Sequence, residues 1–254
     1  MSQPIGLCAD DFALHPAIDE AVFILAARKI IHSTSVMTTS PHWLQSSAKL
    51  KHWIIEHPNH GFKIGLHFNL TEGFGNHSLS LNQWLYKTYF HRVSAFILRD
   101  HWRNQMDRFI KYMGYLPDYI DGHQHVHQFP IIQQALFDIL REYDPDQLIG
   151  VRNTRPATSG LGFKAEMLGF LGGRSLETKL KRAGRPTNDG FAGVYDFQDK
   201  TPEMYGHRLK KWQRCVGENG LIMCHPAAGR VPGDPISMAR QLEFAWLNRQ
   251  SAPM

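Results

Sequence analysis

The chain has 254 residues, 43% of them hydrophobic and 20% charged, and carries a formal net charge of +5. That length permits a large core in one or two domains with no composition break between them, and no apolar run approaches the ~20 residues of a membrane span; with no charged-then-apolar leader at the start, a cytoplasmic address is expected. Cys8, Cys215 and Cys224 lack CxxC spacing and fit neither a disulfide framework nor a zinc ribbon, while the densest basic region, Lys179, Lys181, Arg182 and Arg185, reads as a solvated face without a nucleic-acid-binding motif.

Strand and helix signals alternate along the chain. Ile5 to Ala9 is a short apolar run ending in the carboxylates Asp10 and Asp11, followed by a helix with Pro16 in its first turn and Ile18, Val22 and Leu25 on one face. Ser33 to Thr39 is rich in β-branched residues and predicts a second strand, and residues 41 to 56 predict the next helix. Lys63 to Leu70 is the third strand. Gly73 to Ser80, with Gly75, Asn76 and Ser78, reads as a flexible rim loop. Trp102, Met106, Phe109 and Met113 fall at helical spacing, Tyr119 to His123 is strand-like, and Ile132, Leu136 and Ile139 mark a helix behind Pro130. Ile149 to Arg152 is a short strand, and Phe163 to Arg182 is helical but interrupted by Gly169, Gly172 and Gly173. Thr201 to Val216 reads as a helix and Leu221 to Cys224 as a strand. Asp234 and Pro235 read as the N-cap and first turn of a last helix carrying Met238, Leu242 and Ala245. Such alternation predicts an α/β fold with a largely parallel sheet, closed or nearly closed into a barrel.

Chemistry concentrates at the predicted strand ends, where barrels of this kind place their active sites. Asp10 and Asp11 follow the first strand, His67 lies in GLHFNLTEG, Asp121 and His123 open DGHQHVHQFP, Arg152 ends a short strand, and His225 lies in MCHPAAG. Each has an ordinary structural explanation: a helix N-cap for the aspartates, a half-buried strand histidine for His67, a turn residue for His225. Their coincidence at strand ends favours a site. His123, His125 and His127 would share one side only if extended backbone continued through the motif. Pro130 implies that a helix is already starting, so one or two of these rings at most can converge, and a metal site needs ligands from elsewhere.

Taken in order, ADDFALHPAIDEAV, GLHFNLTEG, DGHQHVHQFP, VRNTR, LIMCHPAAG and DPISMARQLEF resemble the YdjC-like carbohydrate deacetylase family, which includes chito-oligosaccharide and hopanoid-biosynthesis deacetylases. The resemblance covers most of the chain and implies a distorted single-domain (β/α) barrel over residues 1 to 254, with one divalent ion, zinc or magnesium, held by Asp11, His67 and His123. It also implies a homodimer. Ala13 stands where many members have glycine and Gly122 where serine is frequent, and neither change removes a ligand. Residues 154 to 193 match no pattern that would indicate the sugar.

The implied reaction explains the residue types. Hydrolysis of an N-acetyl amide needs an activated water, a stabilised oxyanion and a proton for the departing amine. A divalent ion with open positions serves the first two needs, lowering the pKa of bound water to about 7 in the case of zinc. Asp10 is then the expected base and His225 the expected acid. Arg152 is expected to keep Asp10 ionised. Asp121 is expected to orient His123 or His225, and His125 to face substrate or sit satisfied in the interior, as His127 does. Phe12, Phe68 and Phe74 are stacking candidates for a sugar ring, or core. Two other functions share these features: a metal-dependent hydrolase of a phosphoester or non-sugar amide, and a non-catalytic protein that binds an anionic polymer.

Overall fold

The computed structural model describes residues 6–59, 61–76 and 78–251. Along the chain run β1 (Gly6–Phe12), α1 (Pro16–Ala27), β2 (Ser33–Val36), α2 (Trp43–Glu56), β3 (Lys63–Phe68), α3 (Leu81–Tyr89), α4 (Ala95–Met113) and β4 (Tyr119–Gly122). They are followed by α5 (Pro130–Tyr143), β5 (Gly150–Val151), α6 (Phe163–Leu168), α7 (Arg174–Arg182), β6 (Phe191–Ala192), α8 (Pro202–Cys215), β7 (Leu221–Cys224) and α9 (Ser237–Leu247). The seven strands form one parallel sheet in the order β5-β4-β3-β2-β1-β7-β6. Its two ends meet: a parallel bridge joins Pro156, just past β5, to Phe191 of β6, with Phe191 N–H donating to the Arg155 carbonyl at 3.0 Å. The result is the nearly closed barrel that the alternation predicts, in the distorted (β/α) form that the family resemblance implies. No helix among the described residues is long and apolar enough to cross a membrane.

The apolar periodicities fold as expected. Ile18, Val22 and Leu25 of α1 and Trp102, Met106, Phe109 and Met113 of α4 are all buried against the sheet. Phe12 and Phe68 are core residues as well, the latter stacked on Trp102 with ring centroids 3.5 Å apart, which leaves neither free to meet a sugar.

Several boundaries differ from expectation, for local reasons. β1 does not stop at Ala9 but runs through Asp10 and Asp11 to Phe12, while Ile5 lies outside the described residues. The N-cap of α1 is His15, whose Nδ1 accepts from the Ala17 N–H, so the aspartates are not helix caps. α3 was not anticipated, although Ser80 and Gln83 form a reciprocal capping box at its start. The glycine-interrupted helix is resolved into α6 and α7 around a π-helical segment, Gly169–Gly173, in which Gly172 has φ +115° and lies directly against the Gln128 carbonyl. α9 starts at Ser237, and Asp234 accepts from the Ile236 N–H instead of capping it.

One close approach links the sheet to the site. Gly65 of β3 sits beside Tyr119 of β4 in register, and a methyl group on Gly65 would fall inside the Tyr119 ring. The Tyr119 hydroxyl in turn contacts Cys8 Sγ at 3.1 Å. Gly65→Ala is expected to destabilise the fold by about 1–3 kcal/mol through overpacking. Denaturant unfolding checks this, and an unchanged midpoint would show that the ring relocates freely.

Candidate metal centre

A bulge at the end of β1 builds the first part of the site. Register with β2 shifts between Ala9 and Phe12, and Asp11 and Ala13 both adopt left-handed backbone, φ +69° and +72°. Successive residues of a regular strand face opposite sides of a sheet. Here the bulge lets two adjacent carboxylates, Asp10 and Asp11, both reach the barrel mouth, at a backbone cost of about 1–2 kcal/mol for each non-glycine residue with positive φ.

His67 comes from β3, directly opposite Asp121 of β4. Its Nδ1 lies 2.6 Å from Asp121 Oδ1 and 3.0 Å from Ser35 Oγ, which leaves Nε2 facing Asp11 Oδ1 at 3.2 Å. Burial alone would lower the His67 pKa, but Asp121, Asp11 and Asp10 together raise it to about 10. Asp121 thus orients His67, and not His123 or His225 as anticipated, because the parallel register of β3 and β4 sets those two side chains side by side.

His123 follows β4, and its Nδ1 meets the same Asp11 oxygen at 2.9 Å. The chain then turns through left-handed Gln124 and His125, φ +50° and +59°, into a 3₁₀ segment. Extended geometry therefore ends at His123, and of the three rings only that one joins Asp11 and His67. His125 lines the cavity with its ring centroid 5.5 Å from that of Phe191, edge to face, and His127 is fully buried with Nε2 on the Arg152 carbonyl. One donor atom each from Asp11, His67 and His123 lies within 4.8 Å of the others.

Asp10 is a separate unit. Arg152 donates to both its oxygens, at 2.6 and 2.7 Å, and also contacts Asp121 Oδ2 at 2.7 Å. Burial opposes its charge, but the Arg152 guanidinium outweighs burial and holds the Asp10 carboxyl well below the usual carboxylate range. Across the cavity, His225 follows β7 with its ring 5.5 Å from Phe197 and its backbone N–H donating to Glu243. Burial, with Arg240 nearby, lowers its pKa to about 4 despite the opposing aspartates, so its imidazole is neutral at rest.

Asp10, Asp11, His67, His123, His125 and His225 line a cavity of about 590 Å³, walled also by Glu72, Phe74, Lys164, Tyr195 and Phe197. Of the anticipated aromatics only Phe74 is in this wall. A cavity of about 770 Å³ opens at the opposite, N-terminal ends of the strands, but Asp11, His67, His123 and His225 are not in its lining. The candidate groups gather at the C-terminal mouth, the end at which barrels carry their active sites.

Arg240 and Glu243 of α9 went unread in the sequence. Arg240 Nη2 donates to Asp11 Oδ2 at 2.7 Å, and Glu243 accepts from the Tyr195 hydroxyl at 2.7 Å as well as from His225. The stripe Met238, Leu242 and Ala245 is not the buried face of that helix: Ala239, Arg240, Glu243 and Leu247 are, because α9 turns its charges toward the site. Two charged residues three apart among small and apolar ones were the available signal.

A family profile described as YdjC-like protein matches residues 4–253. A human carbohydrate deacetylase is 30% identical over 268 residues, covering 91% of this chain and 78% of that one. A chitooligosaccharide deacetylase of Serratia marcescens is 30% identical, covering 86% and 79%. A mouse carbohydrate deacetylase is 31% identical over 170 residues, which span 61% of this chain and about half, 51%, of the mouse protein. Among solved structures, an Enterococcus faecalis V583 protein provisionally assigned to cellobiose-phosphate cleavage superposes with a TM-score of 0.69 at 22% identity, covering 99% of this chain and 93% of that one. That likeness concerns the fold.

Proposed function

The chain belongs to the YdjC-like protein family, and we propose that it is a metal-dependent carbohydrate deacetylase acting as one domain, which hydrolyses the N-acetyl group of an N-acetylated sugar and releases acetate. The names of the human and Serratia relatives support the reaction class. The observation that carries it is the convergence of Asp11, His67 and His123 at an open cavity, with Asp10 on one side and His225 on another.

The donor set fits a divalent cation. It combines one carboxylate oxygen with two imidazole nitrogens, and the unused nitrogen of His67 is taken by a carboxylate, as in many metal-ligating histidines. A mixed oxygen and nitrogen set accepts several ions, zinc and magnesium among them. When bound, such an ion polarises the acetamido carbonyl and acidifies water. Asp10, held ionised by Arg152, accepts the proton of the attacking water. The C–N bond breaks as the amine takes up a proton from His225. Burial favours the neutral imidazole of His225, so a proton held there passes readily to the amine, and the proton that Asp10 takes from water balances it over the whole cycle. Phe74 and Phe197 in the wall offer apolar ring surface to a saccharide in a cavity sized for one or a few sugar rings. A homodimer belongs to the same proposal.

Acetate release from N-acetylglucosamine oligomers by metal-loaded protein tests the reaction, and turnover is expected. Absence of acetate with every N-acetylated sugar, alongside hydrolysis of phosphoesters, would contradict it.

A further inference from the structure

The two oxygens of Asp11 have separate partners. Oδ1 faces His67 Nε2 and His123 Nδ1, whereas Oδ2 takes the Arg240 guanidinium at 2.7 Å. Arg240 is 2% exposed, and through Nε it also pairs with Asp234, which stands in the cavity wall with Val231, Pro232 and Gly233. Asp11 and Asp234 hold the guanidinium, and the backbone that carries it is tied down as well. The Arg240 N–H donates to the Ile236 carbonyl, its own carbonyl accepts from the Ala227 N–H, and the Val231 N–H donates to Ser237 Oγ.

We infer that Arg240 is a positioning residue which keeps Asp11 a one-oxygen ligand of reduced donor strength and couples that ligand to the rim of the cavity through Asp234. The inference rests on the reading of Asp11 as a metal ligand. With Oδ2 engaged by a bidentate-capable cation, Asp11 cannot rotate to offer both oxygens, so coordination positions stay open to substrate. A positive charge on the ligand's far oxygen also withdraws electron density, which weakens ion binding and leaves a bound ion more electrophilic. Support of the fold alone would have a different signature: loss of Arg240 would weaken metal binding and turnover together.

The experiment is zinc titration by calorimetry of chelator-stripped protein, with kcat and KM for acetate release, in wild type, Arg240→Gln, Arg240→Lys and Asp234→Ala. Arg240→Gln is expected to bind zinc about tenfold tighter while kcat falls about 10- to 100-fold, the range typical of outer-shell substitutions. Arg240→Lys, which keeps the charge but not the fork, is expected to lie between the two in both quantities. Asp234→Ala, which leaves the whole Arg240 charge to Asp11, is expected to bind zinc several-fold more weakly and to raise KM about fivefold; unchanged zinc affinity would remove the coupling to the rim. Zinc affinity at or below the wild-type value in a folded Arg240→Gln protein would overturn the inference. If that variant does not fold, Arg240→Lys with wild-type kcat and zinc affinity would overturn it instead. Wild-type protein that takes up no zinc or magnesium would remove the metal reading itself, a failure distinct from the others.

Discussion

Asp10→Asn protein is expected to bind its metal ion with unchanged stoichiometry and to lose turnover by about 10²–10⁴-fold, the range of a general base. The roles separate because the two adjacent aspartates have different partners. Asp11 faces the two histidines, whereas Asp10 is gripped by Arg152 and accepts from Ser35 Oγ at 3.1 Å. Asparagine occupies the same volume and keeps a carbonyl oxygen for Ser35, but it cannot take a proton from water. Its stability cost is limited because Arg152 retains its contact with Asp121 at 2.7 Å, so the guanidinium is not left without a carboxylate. Metal analysis and steady-state kinetics on one preparation check both halves. Near-normal turnover would exclude Asp10 as the base.

His67→Ala is expected to show the opposite pattern, with metal and activity lost together. His67 is 2% exposed and is buttressed from behind by Asp121 and Ser35. Its removal deletes a nitrogen donor and leaves three carboxylates, Asp10, Asp11 and Asp121, around the gap. Metal affinity is expected to fall by more than the roughly 10- to 100-fold typical of losing only an outer-shell partner, and turnover by about 10³-fold or more, since the ion supplies several kcal/mol of charge stabilisation. Calorimetric metal titration and acetate release are the measurements. Retained affinity with lost activity would move His67 from the ligand set to substrate contact. His125→Ala should keep the metal, since the left-handed backbone at Gln124 and His125 leaves that ring outside the Asp11, His67 and His123 group.

The alternation of strands and helices was legible because helices cover the outer face of a parallel sheet, which makes strands apolar runs and helices amphipathic stripes. Site residues were legible where they ended such runs. What escaped depends on information that a linear chain does not display. The bulge that continues β1 through Asp10 and Asp11 looks like a strand end, because two carboxylates follow an apolar run. The pairing of Asp121 with His67 depends on the register of β3 against β4, and a shift of one residue would have sent Asp121 elsewhere. In α9 the apolar stripe misled, since periodicity assumes that the buried face is apolar, whereas this helix buries Arg240 and Glu243 against a polar site. α3 was hidden for another reason: with Trp84 and Thr88 its only buried residues, its apolar face is too narrow to register.

The proposed role of Asp11, His67 and His123 is to hold one divalent ion on which removal of an N-acetyl group from a sugar depends. Its most direct test is acetate release from an N-acetylglucosamine oligomer by chelator-stripped protein during titration with zinc or magnesium. Activity is expected to be absent at the start, to rise in proportion to added metal and to level off at one equivalent per chain. Full acetate release by the stripped protein, or none at any metal load, would contradict it.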